Sequence, residues 1–558
     1  MSETRHFIEH IIDEDILEGF PRSKIKFRFP PEPNGYLHIG HVKAICVNFN
    51  LAKQYNAPIV LRFDDTNPEK EEQQFIDSIK KDISWLGFKW SEERFASDYF
   101  EQLYLWAETL IKNKKAFIDS QSSEQMAAQK GTPTKPGRNS PFRDRPVKES
   151  IELFRAMKAG KHKEGAHVLR AKINMESNNM LLRDPVIYRV LKKEHPRTKK
   201  NWVVYPMYDW AHGESDYIEQ ISHSLCTLEF KPHRELYDWF LDQITEPNRV
   251  RPKQREFARL NLSHTITSKR KLMHLVDGGH VSGWDDPRMP TISGLKRRGY
   301  PPSALVSFVN AAGLSKRENV IEASLLEFFA REELNKTSQR AMVVLDPVKI
   351  IITNYPENKT ELIKTENNPE DISSGHREVP FSREILIEKE DFKLEANRKF
   401  FRLTIGKEVR LKSAYIICAN NAICDDSQNI KEIHCTYDPK SKSGSGSAES
   451  QRKVKGTLHW VSSQHSVKAE IREYDRLFTE PSPASAKTNE ELVSMLNKGS
   501  MNTLQGYAEP SLKNASPGNK YQFQRKGYFV VDKESSTEKL IFNKTVGLRD
   551  NWTKKQNQ

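Results

Sequence analysis

The residues best suited to chemistry gather in one short stretch, Arg28-Phe-Pro-Pro-Glu-Pro-Asn-Gly-Tyr-Leu-His-Ile-Gly-His41. His38 and His41 stand three apart, a spacing that puts both imidazoles on one face of a helix start. Gly40 between them puts no side chain in the way of a ligand. Two imidazoles beside the unpaired backbone N–H groups of a first helical turn suit a phosphate. The elements that must position them are readable. In Lys24-Ile-Lys-Phe-Arg-Phe29, apolar Ile25, Phe27 and Phe29 alternate with charged neighbours, which predicts a strand with one buried face. Pro30, Pro31, Pro33 and Gly35 then force a turn. From Tyr36 onward the spacing of Ile39, Val42, Ala44, Ile45 and Val47 predicts a helix. Such turns also join strands to helices where nothing binds, so spacing alone does not decide for a nucleotide site.

Further polar groups follow in chain order. Ala57–Phe63 reads as a second buried strand ending in Asp64-Asp65, where open α/β sheets place their ligands, although Asp-Asp-Thr-Asn-Pro is also plain turn chemistry. Phe75, Ile76, Ile79, Ile83 and Leu86 recur at helical spacing. Strand, helix, strand, helix predicts parallel pairing. At Trp202–His212 the sheet is expected to resume, with Tyr208, Asp209 and His212 at a strand end where they could read a small polar ligand or simply pack. His223–Phe230 and a helix around Tyr237–Gln243 come next. Arg259–Leu272 contains Ser268-Lys269-Arg270.

The chain has 558 residues, 37% hydrophobic and 29% charged, which predicts several globular domains and excludes a disordered chain. No apolar run approaches a membrane span. The N-terminus, Met1-Ser-Glu-Thr-Arg-His-Phe, resembles neither a secretory signal nor a transit peptide. Five cysteines (Cys46, Cys226, Cys418, Cys424, Cys435) lack paired metal spacing, which predicts reduced thiols in a cytoplasmic protein. A formal charge of +13 and a pI near 9.2 favour a polyanionic partner. Lys130–Arg145, broken by Pro and Gly and charged by Lys135, Arg138, Arg143 and Arg145, reads as a long loop. Residues 291 to about 337 read as helices, where Lys296, Arg297 and Arg298 form a basic end that either lies along a nucleic-acid stem or is a solvated face. After Arg340 short alternating runs predict barrels, interrupted by a flexible surface loop at Asp438–Arg452.

Pro-Glu-Pro-Asn-Gly-Tyr-Leu-His-Ile-Gly-His resembles the first signature of the class I aminoacyl-tRNA synthetases in the form used by the glutaminyl/glutamyl branch. Ser268-Lys269, with Thr267 where the family usually has Met, resembles the second, and the likeness runs over essentially the whole chain. The resemblance implies activation of glutamine with ATP and transfer to glutamine tRNA. It gives phosphate binding to His38 and His41 and α-phosphate charge stabilisation to Lys269. It places Glu32, Pro33, Asn34, Gly40, Thr227, Arg259, Leu260, Thr267 and Ser268 around ATP, which comes with Mg2+, and needs no protein-bound metal. Asp64 would hold the α-ammonium and Tyr208 would read the side-chain amide, with Arg28, His212 and Cys226 in the same pocket. Arg340, Arg402, Arg410, Lys412, Gln522 and Arg525 fall where the family reads the anticodon. Lys412 replaces an arginine of bacterial relatives. Pro133 and Pro232 stand where those relatives place a leucine and an acid at the acceptor end.

The fold implied is multidomain: a Rossmann-like doubly wound catalytic domain (1–99 and 208–258) and an inserted acceptor-binding domain (100–207). A helical subdomain (259–337) and two C-terminal antiparallel β-barrels (338–392 with 471–558, and 393–470) complete it. A monomer is implied. The nearest alternative is a glutamyl-tRNA synthetase of the barrel type; a non-catalytic tRNA-binding relative is farther, because it would not need His38, His41 and Lys269 together.

Overall fold

The structure is a computed structural model in which residues 5–550 are described. The first four residues of the N-terminal stretch and the last eight of the segment assigned to a barrel lie outside them. The chain divides into two compact units. The first holds the chain through Asn261 with Val309–Ile321; the second holds Leu262–Phe308 with the chain from Glu322 onward.

The first unit begins with α1 (Phe7–Leu17), β1 (Phe27–Phe29), α2 (Ile39–Tyr55), β2 (Ile59–Phe63), α3 (Gln73–Trp85) and β3 (Glu92–Phe95). β1, β2 and β3 pair in parallel, as the alternation of strand and helix requires. β1 corrects the expectation of a single buried face. All three of its residues are buried, Arg28 included, because a parallel sheet is covered on both sides.

Next come α4 (Phe100–Lys112), β4 (Ala116–Asp119), α5 (Ser123–Lys130), α6 (Val147–Lys158), β5 (Val168–Ala171), β6 (Val186–Val190) and β7 (Val204–Pro206). β4 to β7 form an antiparallel sheet of their own. The stretch at Trp202–His212 therefore does not resume the parallel sheet. β7 closes the inserted one, and Tyr208 and His212 lie on the helix α7 (Tyr208–Ile218) instead of at a strand end. β8 (His223–Thr227), α8 (Arg234–Ile244) and β9 (Lys253–Phe257) return to parallel pairing. Ser222 N–H donates to the Lys26 carbonyl at 3.0 Å, which sets β8 beside β1. The insertion does not have a core to itself: Phe100, Tyr104, Phe154, Tyr188 and Tyr205 pack in one cluster with Trp210, Tyr217, Leu236 and Phe240 of α7 and α8.

Beyond β9 lie the two-residue strands β10 (Asn261–Leu262) and β11 (Val320–Ile321) and the helices α9 (Lys269–Asp277), α10 (Ile292–Arg298), α11 (Pro302–Ala312) and α12 (Ala323–Thr337). The β-rich remainder comprises β12 (Gln339–Ala341), β13 (Val343–Val344), β14 (Pro347–Ile352), β15 (Glu361–Glu366), β16 (His376–Phe381), β17 (Glu384–Glu388), β18 (Glu408–Leu411), β19 (Ile416–Cys424) and β20 (Ile430–Tyr437). It ends with β21 (Thr457–Leu458), β22 (Val461–Ser462), β23 (Val467–Tyr474), β24 (Met501–Ala508), β25 (Lys520–Phe523), β26 (Gly527–Val531) and β27 (Leu540–Val546).

Two barrel-like seven-stranded sheets result, ordered β12-β25-β26-β27-β23-β24-β13 and β21-β18-β19-β20-β14-β17-β22. Two expectations are corrected here. The sheets are mixed, since β12–β25, β23–β27, β14–β20 and β18–β21 pair in parallel. β14 and β17, expected in the first barrel, pair into the second sheet, where Ile350, Ile352, Ile385 and Ile387 share a core with Ile417, Ile433 and Trp460. Cys418, Cys424 and Cys435 lie on β19 and β20 as strand residues. Among the described residues no helix is long and apolar enough to cross a membrane.

Candidate active site and nucleic-acid interface

The turn after β1 is pinned to the end of β2. Asp64 N–H donates to the Pro31 carbonyl at 3.1 Å, and Glu72 N–H donates to the Pro33 carbonyl at 3.2 Å. Glu32 stays exposed and Asn34 partly so. The helix then starts three residues later than its periodicity predicts. His38 is the N-cap of α2 and His41 its third residue. His38 Nδ1 accepts Gly40 N–H at 3.1 Å, His41 Nδ1 accepts His38 N–H at 3.1 Å, and the rings lie 3.9 Å apart.

Two of the orphan donors expected to meet a ligand are thus taken by the imidazoles themselves. The price of this arrangement is set by burial, which holds both rings neutral: His38 well below the usual imidazole range and His41 down to about 4. With Nδ1 accepting, each ring carries its proton on Nε2, so each offers one N–H donor. The glycine requirement also has another origin than ligand access. A Cβ at Gly40 would stand 2.9 Å from His38 Cε1, against the capping ring, with the Leu260 carbonyl at 3.9 Å.

Behind this turn lies a buried charge cluster that the sequence reading caught only in part. Arg28 donates Nε–H to Asp216 at 3.0 Å, Nη1–H to the Leu225 carbonyl at 2.7 Å, and Nη2–H to Ser224 Oγ at 2.8 Å and His212 Nε2 at 3.0 Å. Arg62, in the middle of β2, donates Nε–H to Asp64 Oδ1 at 2.8 Å and Nη1–H to Asp216 at 2.8 Å and Glu219 at 3.1 Å. Asp216 also accepts Ser224 O–H at 2.6 Å and Tyr237 O–H at 3.1 Å. The two guanidiniums hold Asp216 far below the usual carboxylate range and Arg62 holds Asp64 below it as well, whereas burial lifts Glu219.

Asp64 Oδ2 is buried without a hydrogen-bond partner, 3.6 Å from His212 Nδ1. A buried carboxylate oxygen left open, on a group that Arg62 holds ionised, suits an ammonium group. Tyr208 lies over His212 with ring centroids 5.0 Å apart and beside Phe230 at 5.6 Å, and burial raises its hydroxyl well above the usual range. Cys226 belongs to the same region, its thiol pushed up to about 12 by burial. Arg62, Asp216, Glu219, Ser224 and Tyr237 were missed. Their signal was an arginine inside each apolar strand, Phe-Arg-Phe and Ile-Val-Leu-Arg-Phe, which a sheet covered on both sides must bury and neutralise.

Thr227 donates its hydroxyl to Glu229 at 2.7 Å, and Arg259 is exposed with Glu318 at 3.6 Å. In the second unit, Ser268 is the N-cap of α9 and Lys269 opens that helix, with Thr267 just before it. Among the described residues no group of three or more His, Cys, Asp or Glu side chains is arranged to hold a metal ion.

The charged loop of the insertion is ordered from inside. Buried Arg183 donates Nη1–H to the carbonyls of Lys130, Thr132 and Lys135 at 2.8 to 2.9 Å, and Nε–H to that of Ser177 at 2.7 Å. Gly131, at φ +75°, allows this approach, since a Cβ there would sit 2.6 Å from two carbonyl oxygens. Arg143 pairs with Asp184 at 2.6 Å and Arg145 binds the Ile118 carbonyl at 2.9 Å, which leaves Lys135 and Arg138 as the outward charges. Pro133 sits at the exposed tip of this loop, and the Pro232 carbonyl accepts from Asn179 at 2.8 Å.

In the second unit most of the proposed base readers are engaged within the protein. Arg340 is buried and binds the Asn335 and Ser338 carbonyls at 2.8 and 2.7 Å. Arg410 binds Ser441, Ser443, Ser450 and Arg452 at 2.8 to 3.1 Å, so the segment at 438–452 is closed around a guanidinium and is not a plain flexible loop. Arg525 makes a bidentate pair with buried Asp391, both contacts 2.6 Å, and Arg402 reaches the same carboxylate at 3.1 Å. Gln522 donates to Tyr528 at 2.9 Å, and Lys412 is exposed. The basic end of α10 is not a free face: Arg297 pairs with Asp532 and Glu534, and Arg298 donates to the Tyr474 carbonyl at 3.1 Å.

Comparison with known proteins agrees with this architecture. The family described as tRNA synthetases class I (E and Q), catalytic domain, matches residues 24–336, and the anti-codon binding domains of the same family match 338–438 and 457–532. The glutamine--tRNA ligase of Nitrobacter hamburgensis is 51% identical over 99% of this chain and 97% of its own. Those of Rhodopirellula baltica (51%; 99% of this chain, 91% of its own) and Cronobacter sakazakii (52%; 98% of each) are equally similar.

Proposed function

The chain belongs to the class I (E and Q) tRNA synthetases, and we propose that it acts as an ATP-dependent glutamine–tRNA ligase. The observation that carries this reading is identity of 51–52% to glutamine--tRNA ligases over nearly the whole chain, barrels included. In the first step an α-carboxylate oxygen of glutamine attacks the α-phosphorus of ATP and pyrophosphate leaves. In the second, a hydroxyl of the terminal ribose of glutamine tRNA attacks the glutaminyl carbonyl and AMP leaves.

The protein's share is positioning and charge stabilisation, with no covalent enzyme intermediate. The neutral Nε2–H groups of His38 and His41 donate to phosphate oxygens without requiring a proton to be released first. Lys269 supplies positive charge to the phosphates as negative charge builds, and Mg2+ enters as part of the ATP complex. Asp64 Oδ2, open and held anionic, receives the α-ammonium; the Tyr208 hydroxyl reads the side-chain amide. Arg402, Arg525, Gln522 and Lys412 belong to the anticodon-reading face, and Arg340 and Arg410 support it from within. The insertion's loop with Lys135 and Arg138 grips the acceptor end.

The test is aminoacylation of purified glutamine and glutamate tRNAs with each labelled amino acid. Charging of glutamine tRNA with glutamine alone is the expected result. Charging with glutamate would reassign the chain to the glutamyl enzymes, and tRNA binding without charging would make it a binding protein.

A further inference from the structure

We propose that Asp216, buried on α7, is a specificity-determining residue that holds Arg28 so that the pocket accepts an amide and refuses a carboxylate. The inference rests on the glutamine reading above and deepens it. Glutamine and glutamate differ in shape by almost nothing, so a filter must act through charge and hydrogen-bond count.

A free guanidinium would defeat such a filter, because its fork of parallel N–H groups fits a carboxylate bidentately. Arg28 is a guanidinium in this pocket, yet it is fully buried, and four of its five N–H groups are committed. Asp216 takes the Nε–H at 3.0 Å, Ser224 and His212 take Nη2, and the Leu225 carbonyl takes one Nη1–H. One Nη1–H remains. A single donor suits the carbonyl oxygen of an amide and cannot form the two-toothed contact a carboxylate wants.

Charge works in the same direction. Arg28 and Arg62 face Asp216, Asp64 and Glu219, so two cations meet three carboxylates in a space without solvent. An additional side-chain anion would enter a site already neutralised, at low effective dielectric, and lose its hydration uncompensated. Asp216 is the residue both arginines share. Ser224 and Tyr237, each donating to Oδ2, fix the carboxylate plane that orients Arg28.

The experiment compares kcat/KM for glutamine with kcat/KM for glutamate, in full-length protein with glutamine tRNA, for wild type, Asp216→Asn and Asp216→Glu. Asp216→Asn removes the charge and keeps the shape. It is expected to lower the glutamine-to-glutamate ratio by about tenfold or more, one bidentate charge contact being worth that much. Asp216→Glu, which keeps the charge, is expected to restore most of the ratio. A parallel fall for both amino acids with the ratio unchanged would make Asp216 structural only and overturn the proposal. If Asp216→Asn does not yield folded protein, Ser224→Ala decides by the same ratio, because it loosens both Arg28 and Asp216. A wild type that prefers glutamate would instead sink the glutamine reading, whatever the variants do.

Discussion

Gly40→Ala should separate activity from stability. An ideal Cβ at Gly40 lies 2.9 Å from His38 Cε1 and 3.0 Å from Nδ1, where ordinary carbon contacts are about 3.5–4.0 Å. The imidazole must therefore retreat by about 0.5–1 Å, and the 3.1 Å bond from Gly40 N–H then passes out of hydrogen-bond range. Losing an N-cap contact destabilises by about 1 kcal/mol. Replacing a helical glycine by alanine returns about as much, up to about 1 kcal/mol. The two nearly cancel, so the melting temperature should move by only a few degrees. Activity has no such compensation. Moving a donor by about 1 Å from its productive position costs on the order of 10²-fold. The measurement is kcat/KM for ATP in aminoacylation beside a thermal melt. Near wild-type turnover would refute the claim that the His38 ring must stay on its cap. A large drop in melting temperature would refute the cancellation.

Stability should fall as pH drops from about 6.5 toward 4, because His41 and His223 are each held near 4 by burial while an unfolded histidine titrates near 6.5. Below 6.5 the unfolded chain takes protons that the native rings refuse, so the contribution is whole above 6.5 and lost on acidification, at up to about 2.7 kcal/mol per pH unit for the two groups together. Urea unfolding at pH 7.5 and 5.5 reads it, and His223→Gln should flatten the slope measurably while leaving the share of His38 and His41 in place; a flat wild-type profile would contradict the burial argument. Glu388→Ala should destabilise the barrel unit by about 3–5 kcal/mol, since buried Glu388 accepts Leu345 and Asp346 N–H at 2.9 and 3.2 Å and pairs with Lys526 at 3.1 Å. A change below 1 kcal/mol in denaturant titration, roughly the worth of a surface pair, would argue against that role. Arg410→Met should release the segment at 438–452, which limited trypsin digestion would reveal as faster cleavage there; an unchanged digestion pattern would mean the guanidinium does not organise it.

What the sequence made legible follows from what periodicity can encode. α3 appears over Gln73–Trp85 because five apolar residues mark its face, and the parallel pairing of β1 and β2 follows from the alternation of elements. The helix start lies three residues beyond Tyr36, with His38 on the cap, because hydrophobic spacing carries no information about where the first turn closes. Tyr208 and His212 were put on a strand because Trp-Val-Val-Tyr has β character. The helix that follows packs Trp210 and Tyr217 into the insertion's core, with residues as distant in sequence as Phe100 and Phe154. Partner choice is the least legible property. Arg297, Arg402, Arg410 and Arg525 look alike in sequence, yet each is committed to carboxylates or carbonyls that only the tertiary fold brings near.

The same device occurs in both units. In the first, Asp216 is shared by Arg28 and Arg62; in the second, Asp391 is shared by Arg402 and Arg525. One buried carboxylate between two guanidiniums orients both while leaving a net positive charge on the pair, so the arginines are held ready without being fully neutralised. The outcomes differ because exposure differs. Arg28 and Arg62 are wholly buried, and their cluster gains further carboxylates in Asp64 and Glu219, the charge balance on which the proposed refusal of glutamate rests. Arg402 and Arg525 keep about a third of their side chains exposed. The proposed reading of nucleic acid would use N–H groups that Asp391 has already oriented, the rotamer entropy of each arginine being lost in folding before any nucleic acid arrives. One shared carboxylate thus fixes two wholly buried arginines in the first unit and two partly exposed ones in the second.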